Sequence, residues 1–501
     1  MKERKKTQKA HVLILPCPLQ GHINPMLEFA KRLVAKGVNT TLVSTVFTSK
    51  SMHTDPTSSI AVETISDGFD EGGRTQAESG KAYLESLRAV GSRTLSDLIK
   101  KLGDSDRPVY AVVYDGFIPW VLDVARQCGV LGVVFFTQTC AVNSVYYHVN
   151  RGLLQLPVSG PAVSFPGLPF LEVSDTPSFV SHYGSYPEVF DMVMNQFSNF
   201  NEVDWMLFNT FYELETELSK LWKVGTIGPT IPSMFLDKRL EGDRAYGINL
   251  FKPNIADCMN WLNGKPKNSV YVSFDSAAEL KEEQMEELAW GLKGSNCFFL
   301  WVVRASEETK LPKTFTKEIA EKGFLVRWCS QLEVLEHEAI GSFVTHCGFN
   351  SDLEALSLGV PMVGIPQWTD QPTNAKYAED IWRTGIRAKP DVQGVVRKEV
   401  IERCMKELIE REKGKEMKKN ASKWKKFARE AMDEDGSSDK NIDKFADENG
   451  QATGQACGGF NGEGLAGGLV PTKWSDNASV IGRTHQKGTQ EMFGEQNPST
   501  S

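Results

Sequence analysis

One local pattern occurs twice along this chain: short runs of apolar residues, each followed by a stretch whose apolar positions recur at helical spacing. Residues 11 to 16 read as a buried strand; Pro25 then opens a helix with Met26, Phe29, Ala30, Leu33 and Val34 on one face, and Gly37 ends it. Asn39 to Thr45 reads as the next strand, which completes a βαβ unit. Further strands are predicted at Val109 to Tyr114 and Gly132 to Phe136. Continuous apolar runs, rather than alternating ones, are the mark of parallel strands buried on both faces. After a stretch rich in Gly, Pro, Asp and Asn between Gly225 and Asn268, a second series begins. Its strands fit Val270 to Phe274, Phe298 to Val303, Gly323 to Val326, Ser342 to Thr345 and Met362 to Ile365. The expected fold class is α/β, with two doubly wound domains facing a cleft. Ligands of such sheets bind outside the carboxyl ends of the strands.

Domain limits are expected at 1–240 and 269–447, with a connector at 241–268 and a low-complexity tail at 448–501. Residues 397 to 431 form a charged, helix-compatible segment. Asp435-Gly436-Ser437-Ser438 ends it before a short helix at Lys440 to Phe445. Eleven glycines fall between Asn449 and Ser501, and this tail is expected to be disordered. The 56 Lys and Arg against 64 Asp and Glu give a net charge of -8, which argues against a general nucleic-acid binder. Nine cysteines without a C-x-x-C pair make neither a disulfide framework nor a zinc ribbon and fit a reducing compartment. The basic start, Met1 to Lys6, precedes an apolar run too short for a signal peptide. The uncharged stretch Gln127 to Tyr147 reads as a strand and the start of a helix rather than a membrane span. A cytoplasmic monomer without a transmembrane segment is the expectation.

The most informative segment runs from Trp328 to Gln371, WCSQLEVLEHEAIGSFVTHCGFNSDLEALSLG ending in PQWTDQ. Thr345-His346-Cys347-Gly348-Phe349-Asn350-Ser351 places a strand end and a glycine turn before a helix beginning near Ser351. A helix N-terminus offers unpaired N–H groups and about half a positive charge, so it can hold a diphosphate even in an acidic protein. Over its 44 positions the segment resembles the signature box of plant family 1 UDP-glycosyltransferases. The resemblance extends through PLQGHINPM, DGFDEGG, FFTQTCAVNSVYYHV and GSSDKNID, over roughly residues 10 to 447. Within the family the chain is most similar to the subgroup that glucosylates carboxylic acids, thiohydroximates and terpenoid or steroid-like acceptors.

The resemblance implies a GT-B fold whose last helices pack back on the first domain. It also implies a donor-binding set of Ser276, Trp328, Cys329, Gln331, His346, Gly348, Phe349, Asn350, Ser351, Glu354, Asp370 and Gln371. In it His346 and Ser351 contact the diphosphate, Trp328 stacks on uracil, Gln331 lies beside the uridine and Glu354 accepts the ribose hydroxyls. Asp370 and Gln371 hold the sugar hydroxyls, and a terminal Gln goes with glucose rather than galactose in the family. Taken singly, a Trp is a core residue, a helix-borne Glu a solvated one and a Ser before a helix an N-cap. Their joint spacing favours the ligand reading.

His22, in Gly21-His22-Ile23-Asn24-Pro25, is expected past the first strand and before the first helix, at the edge where ligands bind. Imidazole suits the base that glycosyl transfer to a hydroxyl needs near neutral pH. Asp115, directly after a predicted strand, would share that edge and orient the ring; the alternative for His22 is a structural histidine in a turn. The family uses a His and an Asp at these positions, which implies inverting displacement with UDP leaving. The D-x-D pairs at Asp104-Ser105-Asp106 and Asp433-Glu434-Asp435 are expected to be solvated acids, and neither a metal nor a cofactor is expected. Partners are a UDP-sugar, with UDP-glucose as donor substrate, and a small lipophilic acceptor held near Asp67 to Gly73 and Phe165 to Phe170.

Four positions depart from the family pattern: Asp275 for Gly, Ser330 for Pro, Phe349 for Trp and Asp352 for Thr. A carboxylate about 6 Å from a phosphate charge, at an effective dielectric near 20, costs roughly 3 kcal/mol. The two aspartates therefore predict weakened donor binding, although an acid in a helix's first turn is also favourable in itself. The leading function is an inverting UDP-glucose-dependent glucosyltransferase. The alternative is an impaired or silent UDP-sugar-binding homologue.

Overall fold

The computed structural model describes residues 10–52, 60–246, 254–274 and 279–451, with the side chains of 448–451 left aside. Asp275, Ser276 and the tail beyond Gln451 lie outside the described residues.

Two parallel sheets organise the chain. The first has seven strands in the order β3-β2-β1-β4-β5-β8-β9. They are β1 (His11–Leu15), β2 (Asn39–Thr45), β3 (Ala61–Ile65), β4 (Val109–Asp115), β5 (Leu131–Phe136), β8 (Trp205–Phe208) and β9 (Gly225–Thr226), while β6 (Ala162–Val163) and β7 (Leu171–Glu172) form a separate antiparallel pair. The second sheet has six strands in the order β12-β11-β10-β13-β14-β15. They are β10 (Ser269–Ser273), β11 (Phe299–Val302), β12 (Gly323–Val326), β13 (Ile340–Thr345), β14 (Met362–Gly364) and β15 (Gly385–Arg387). All of β1 is buried, as its unbroken apolar run requires.

In each sheet the strand order reverses once, between β1 and β4 and between β10 and β13. Leu15 pairs with Tyr114, and Ser273 with Thr345. Each reversal opens a crevice at the carboxyl edge, where successive helices leave on opposite faces. His22 follows β1, Asp115 ends β4 and His346 follows β13.

The first helix spans Gln20–Ala35, starting ahead of Pro25 rather than at it. His22 is therefore in its first turn, not in the loop expected from the sequence. Proline is tolerated there because the carbonyl that its missing N–H would have bonded, that of Gly21, accepts from Asn350 Nδ2 instead, at 2.6 Å.

The charged segment near the C-terminus forms two helices, Lys398–Glu410 and Glu412–Met432, where one was expected. Arg411 is extended between them, and a Cβ at Gly414 would meet the Leu408 carbonyl oxygen at 2.0 Å, so only glycine admits the turn. The helix Ser437–Gln451 is longer than the predicted Lys440 to Phe445. It packs on the first domain: Phe445 lies 5.8 Å from Phe29 and 5.5 Å from Trp205, and Ser438 Oγ donates to the Gly228 carbonyl. In the connector stretch, the helix Ile255–Asn263 stacks Trp261 on Phe324 of the second domain at 5.6 Å. Among the described residues no helix is long and apolar enough to cross a membrane, and the cysteines form no disulfide.

Candidate active site

His22 and Asp115 meet at the first crevice. Asp115 Oδ2 lies 2.6 Å from His22 Nδ1, its Oδ1 accepts from the Phe117 amide at 2.9 Å, and the Phe117 ring packs on the imidazole at 4.9 Å. The carboxylate is buried and doubly anchored, so it fixes the ring and favours the proton on Nδ1. That leaves Nε2 as the basic nitrogen. Thr137 Oγ1, just past the end of β5, approaches the same Nδ1 at 3.3 Å, a contact that no sequence pattern marks.

The second crevice is built from the signature segment. After β13, Cys347 adopts φ +62° in a turn held by Thr345 Oγ1, which accepts from the Cys347 amide, and by Asn374 Nδ2, which donates to the Cys347 carbonyl. A Cβ on Gly348 would come within 2.3 Å of His346 Nε2, so the glycine makes room for the imidazole. The helix spans Phe349–Leu358, starting two residues before the position expected, with Gly348 as a cap that has no side chain. Ser351 is thus in the first turn instead of capping it.

Gln331 ties this helix to its neighbour. Its Nε2 donates to Ser351 Oγ at 3.0 Å and to Glu354 Oε2 at 2.8 Å, while its Oε1 accepts from the Tyr271 hydroxyl. Tyr246, from the connector, donates to Glu354 Oε1 at 2.6 Å. Burial pushes the Glu354 carboxyl up to about 7, against the pull of the Tyr246 and Gln331 hydrogen bonds. Trp328 is half-buried at the start of the segment and accepts from the Asn254 amide through its carbonyl. Cys329 is buried, with its thiol 3.4 Å from the Tyr271 hydroxyl.

The loop after β14 carries Asp370 and Gln371, both buried. Asp370 accepts from Thr369 Oγ1 and Asn374 Nδ2, each at 2.6 Å. Burial raises its pKa, and those hydrogen bonds together with the charge of His346 pull it back. Gln371 Oε1 accepts from the amides of Gln367 and Trp368, so the donating end of this amide is what it can offer a hydroxyl.

Of the positions that depart from the expected pattern, Phe349 is buried at the start of its helix, and Ser330 has φ -77°, which proline would also adopt. Asp352 is fully buried and neither carboxyl oxygen has a partner. Burial, and then the neighbouring Asp370, push it well above the usual carboxylate range. The repulsion expected of an ionised Asp352 does not arise when the group is neutral. Asp104 and Asp106 are exposed, and Asp433 pairs with Arg429. Among the described residues no three His, Cys, Asp or Glu side chains are grouped to hold a metal ion. Near the expected acceptor loops, Asp67 is buried and accepts from Tyr83, Phe165 packs on His148, and Phe170 is exposed.

Two facing doubly wound domains, one presenting a carboxylate-held histidine and the other an uncapped helix terminus beside His346, define a glycosyltransferase of the GT-B fold. Residues 251–427 match the family model for UDP-glucoronosyl and UDP-glucosyl transferase. UDP-glycosyltransferase 74F2 of Arabidopsis thaliana is 49% identical over 448 residues, covering 87% of this chain and 98% of that protein. Flavonol 7-O-beta-glucosyltransferase UGT74F1 of the same plant is 47% identical over 447 residues, with the same coverage. The crystal structure of Os79 from O. sativa in complex with UDP superposes with a TM-score of 0.83 at 39% identity, covering 87% of this chain and all of that one. The chain belongs to the plant family 1 UDP-glycosyltransferases.

Proposed function

We propose that this chain is an inverting UDP-glucose-dependent glucosyltransferase acting on a hydroxyl or carboxylate of a small lipophilic acceptor. The observation that carries the reading is the His22–Asp115 pair, set across the cleft from the signature helix and tied to it through Gly21 and Asn350. His22 Nε2 takes the proton of an acceptor hydroxyl; the oxygen bonds to the anomeric carbon from the face opposite UDP, and the carbon–oxygen bond to the diphosphate breaks. Asp115 steadies the imidazolium that results. His346 and the helix N-terminus oppose the charge that grows on the leaving diphosphate. These groups are the support for turnover without a metal, which predicts activity unchanged by a chelator.

The names and contents of the relatives support the substrates: UDP in the rice structure and a flavonol in one Arabidopsis enzyme. The test is glucoside formation from UDP-glucose with flavonoid, terpenoid and carboxylic-acid acceptors. A β-glucoside, whose formation on a hydroxyl acceptor is abolished by His22→Ala, is the expected product; an α-glucoside, or turnover of a hydroxyl acceptor that survives the substitution, would overturn the reading. Burial pushes the Asp352 carboxyl toward its neutral form, so the rival reading of an impaired homologue rests chiefly on Asp275, and Asp275→Gly tests it by UDP-glucose affinity.

A further inference from the structure

The sugar-holding loop is gripped from the other domain. Thr369 has φ +56°, a left-handed conformation that a β-branched residue adopts only where its surroundings impose it. Its carbonyl accepts from the Ser178 amide at 2.8 Å, and its amide donates to Ser178 Oγ at 2.7 Å. Next to this two-point clamp, Thr373 Oγ1 donates to the Asp175 carbonyl, and the fully buried Asp175 carboxylate pairs with Arg387 and Lys376 of the second domain. Phe179 meets Trp368 edge-on at 6.2 Å. Thr369 in turn donates to Asp370, so the pose of Thr369 sets that of the carboxylate.

We propose that Ser178 is a positioning residue for the donor sugar: the first domain, through Ser178, holds Thr369 in the conformation that aims Asp370 and Gln371 at the hexose. The nucleotide end is different, because the Ser178 bonds are made to Thr369 and not to Trp328, Gln331, His346, Ser351 or Glu354. The clamp therefore acts on the hexose end of the donor and leaves the side chains that meet the uridine diphosphate in place. This rests on the reading that Asp370 and Gln371 hold the sugar hydroxyls.

Steady-state kinetics on the full chain test it, with UDP as a competitive inhibitor that carries no sugar. Ser178→Ala removes one hydrogen bond and should raise KM for UDP-glucose about fivefold while leaving the UDP inhibition constant within about twofold. Ser178→Thr, which keeps the hydroxyl, should recover most of the loss. Should Ser178→Ala fail to fold, Ser178→Cys keeps the volume, weakens the acceptor and reads the same ratio. Equal weakening of UDP and UDP-glucose, or no change in either, overturns the proposal. Asp370→Asn is the control: if it leaves UDP-glucose KM at the parent value, the assignment of the sugar subsite has failed and not the clamp.

Discussion

The side-chain amide of Asn350 donates to the backbone carbonyl of Gly21 at 2.6 Å, and that carbonyl is available because Pro25, four residues on, has no N–H to give it. A proline inside one helix thus creates the acceptor by which a second helix, from the other domain, is held against the turn carrying His22. The bond sits between the base and the diphosphate helix. Its loss should tell on the chemical step more than on nucleotide binding.

Asn350→Ala should lower kcat about fivefold, the worth of one hydrogen bond, with UDP affinity unchanged. Pro25→Ala restores a competing N–H and should show part of the same defect. The two together should be less than additive, since both act on one bond. A fall in UDP affinity in Asn350→Ala would make Asn350 a donor contact instead of a clasp.

His22→Ala removes the base and should lower kcat on the order of a hundredfold to ten-thousandfold, the usual range for general base catalysis. Asp115→Asn keeps the shape but presents a donor or a neutral acceptor to Nδ1, and should cost a large share of the same rate without changing UDP-glucose affinity. Single-turnover measurements with saturating donor separate the two effects. An Asp115→Asn enzyme that turns over at the parent rate would show that the 2.6 Å contact only packs the ring.

Glu354 gives the donor affinity a pH dependence. Its carboxyl is raised to about 7 by burial, and ribose hydroxyls donate hydrogen bonds, which the ionised form accepts best. Below that pH the group must first lose its proton. UDP-glucose affinity should therefore rise as pH increases through about 7, with about tenfold between pH 6 and the plateau as an upper bound. Calorimetry checks this, and Glu354→Gln should bind weakly with a flat profile across the same window. The Tyr246 hydroxyl donates to Oε1 and holds the carboxyl down, so Tyr246→Phe should move the rise in donor affinity to higher pH.

What the sequence discloses follows from what kind of order each feature has. Parallel strands buried on both faces are unbroken apolar runs, so β12 matches its predicted span, and β4, which ends at Asp115, and β13, which ends just before His346, each stop within a residue of their predicted ends. The signature segment is contiguous, so its spacing survives in one dimension. The Ser178–Thr369 clamp joins residues 191 positions apart through backbone atoms and a positive φ, and neither leaves a periodicity. Tyr246 reaches Glu354 from a connector with no regular pattern. The commonest rule makes Pro25 a first helical residue; the exception depends on a side chain from the other domain. Helical spacing also cannot show that the helix Phe349–Leu358 is covered on nearly every side, which is what turns Asp352 from an expected ionised acid near the diphosphate into a buried one.

That burial carries the last prediction. An Asp352 carboxyl with two unpartnered oxygens costs stability even when protonated, about 1–3 kcal/mol for the unmet hydrogen bonds. Its pKa is raised in the folded state, so the folded protein binds the proton more tightly than the unfolded chain does. Stability then falls as pH rises above the unfolded value near 4, by up to about 1.4 kcal/mol per pH unit, until the folded-state value is passed. Asp352→Thr keeps a small polar side chain and removes both penalties. Thermal unfolding should show the variant more stable at every pH, at about 2–4 °C per kcal/mol for a domain of this size, with the gap widening from pH 5 to pH 7. A variant that is no more stable than the parent, or a gap that narrows with pH, would mean that the carboxyl is ionised and satisfied by a partner.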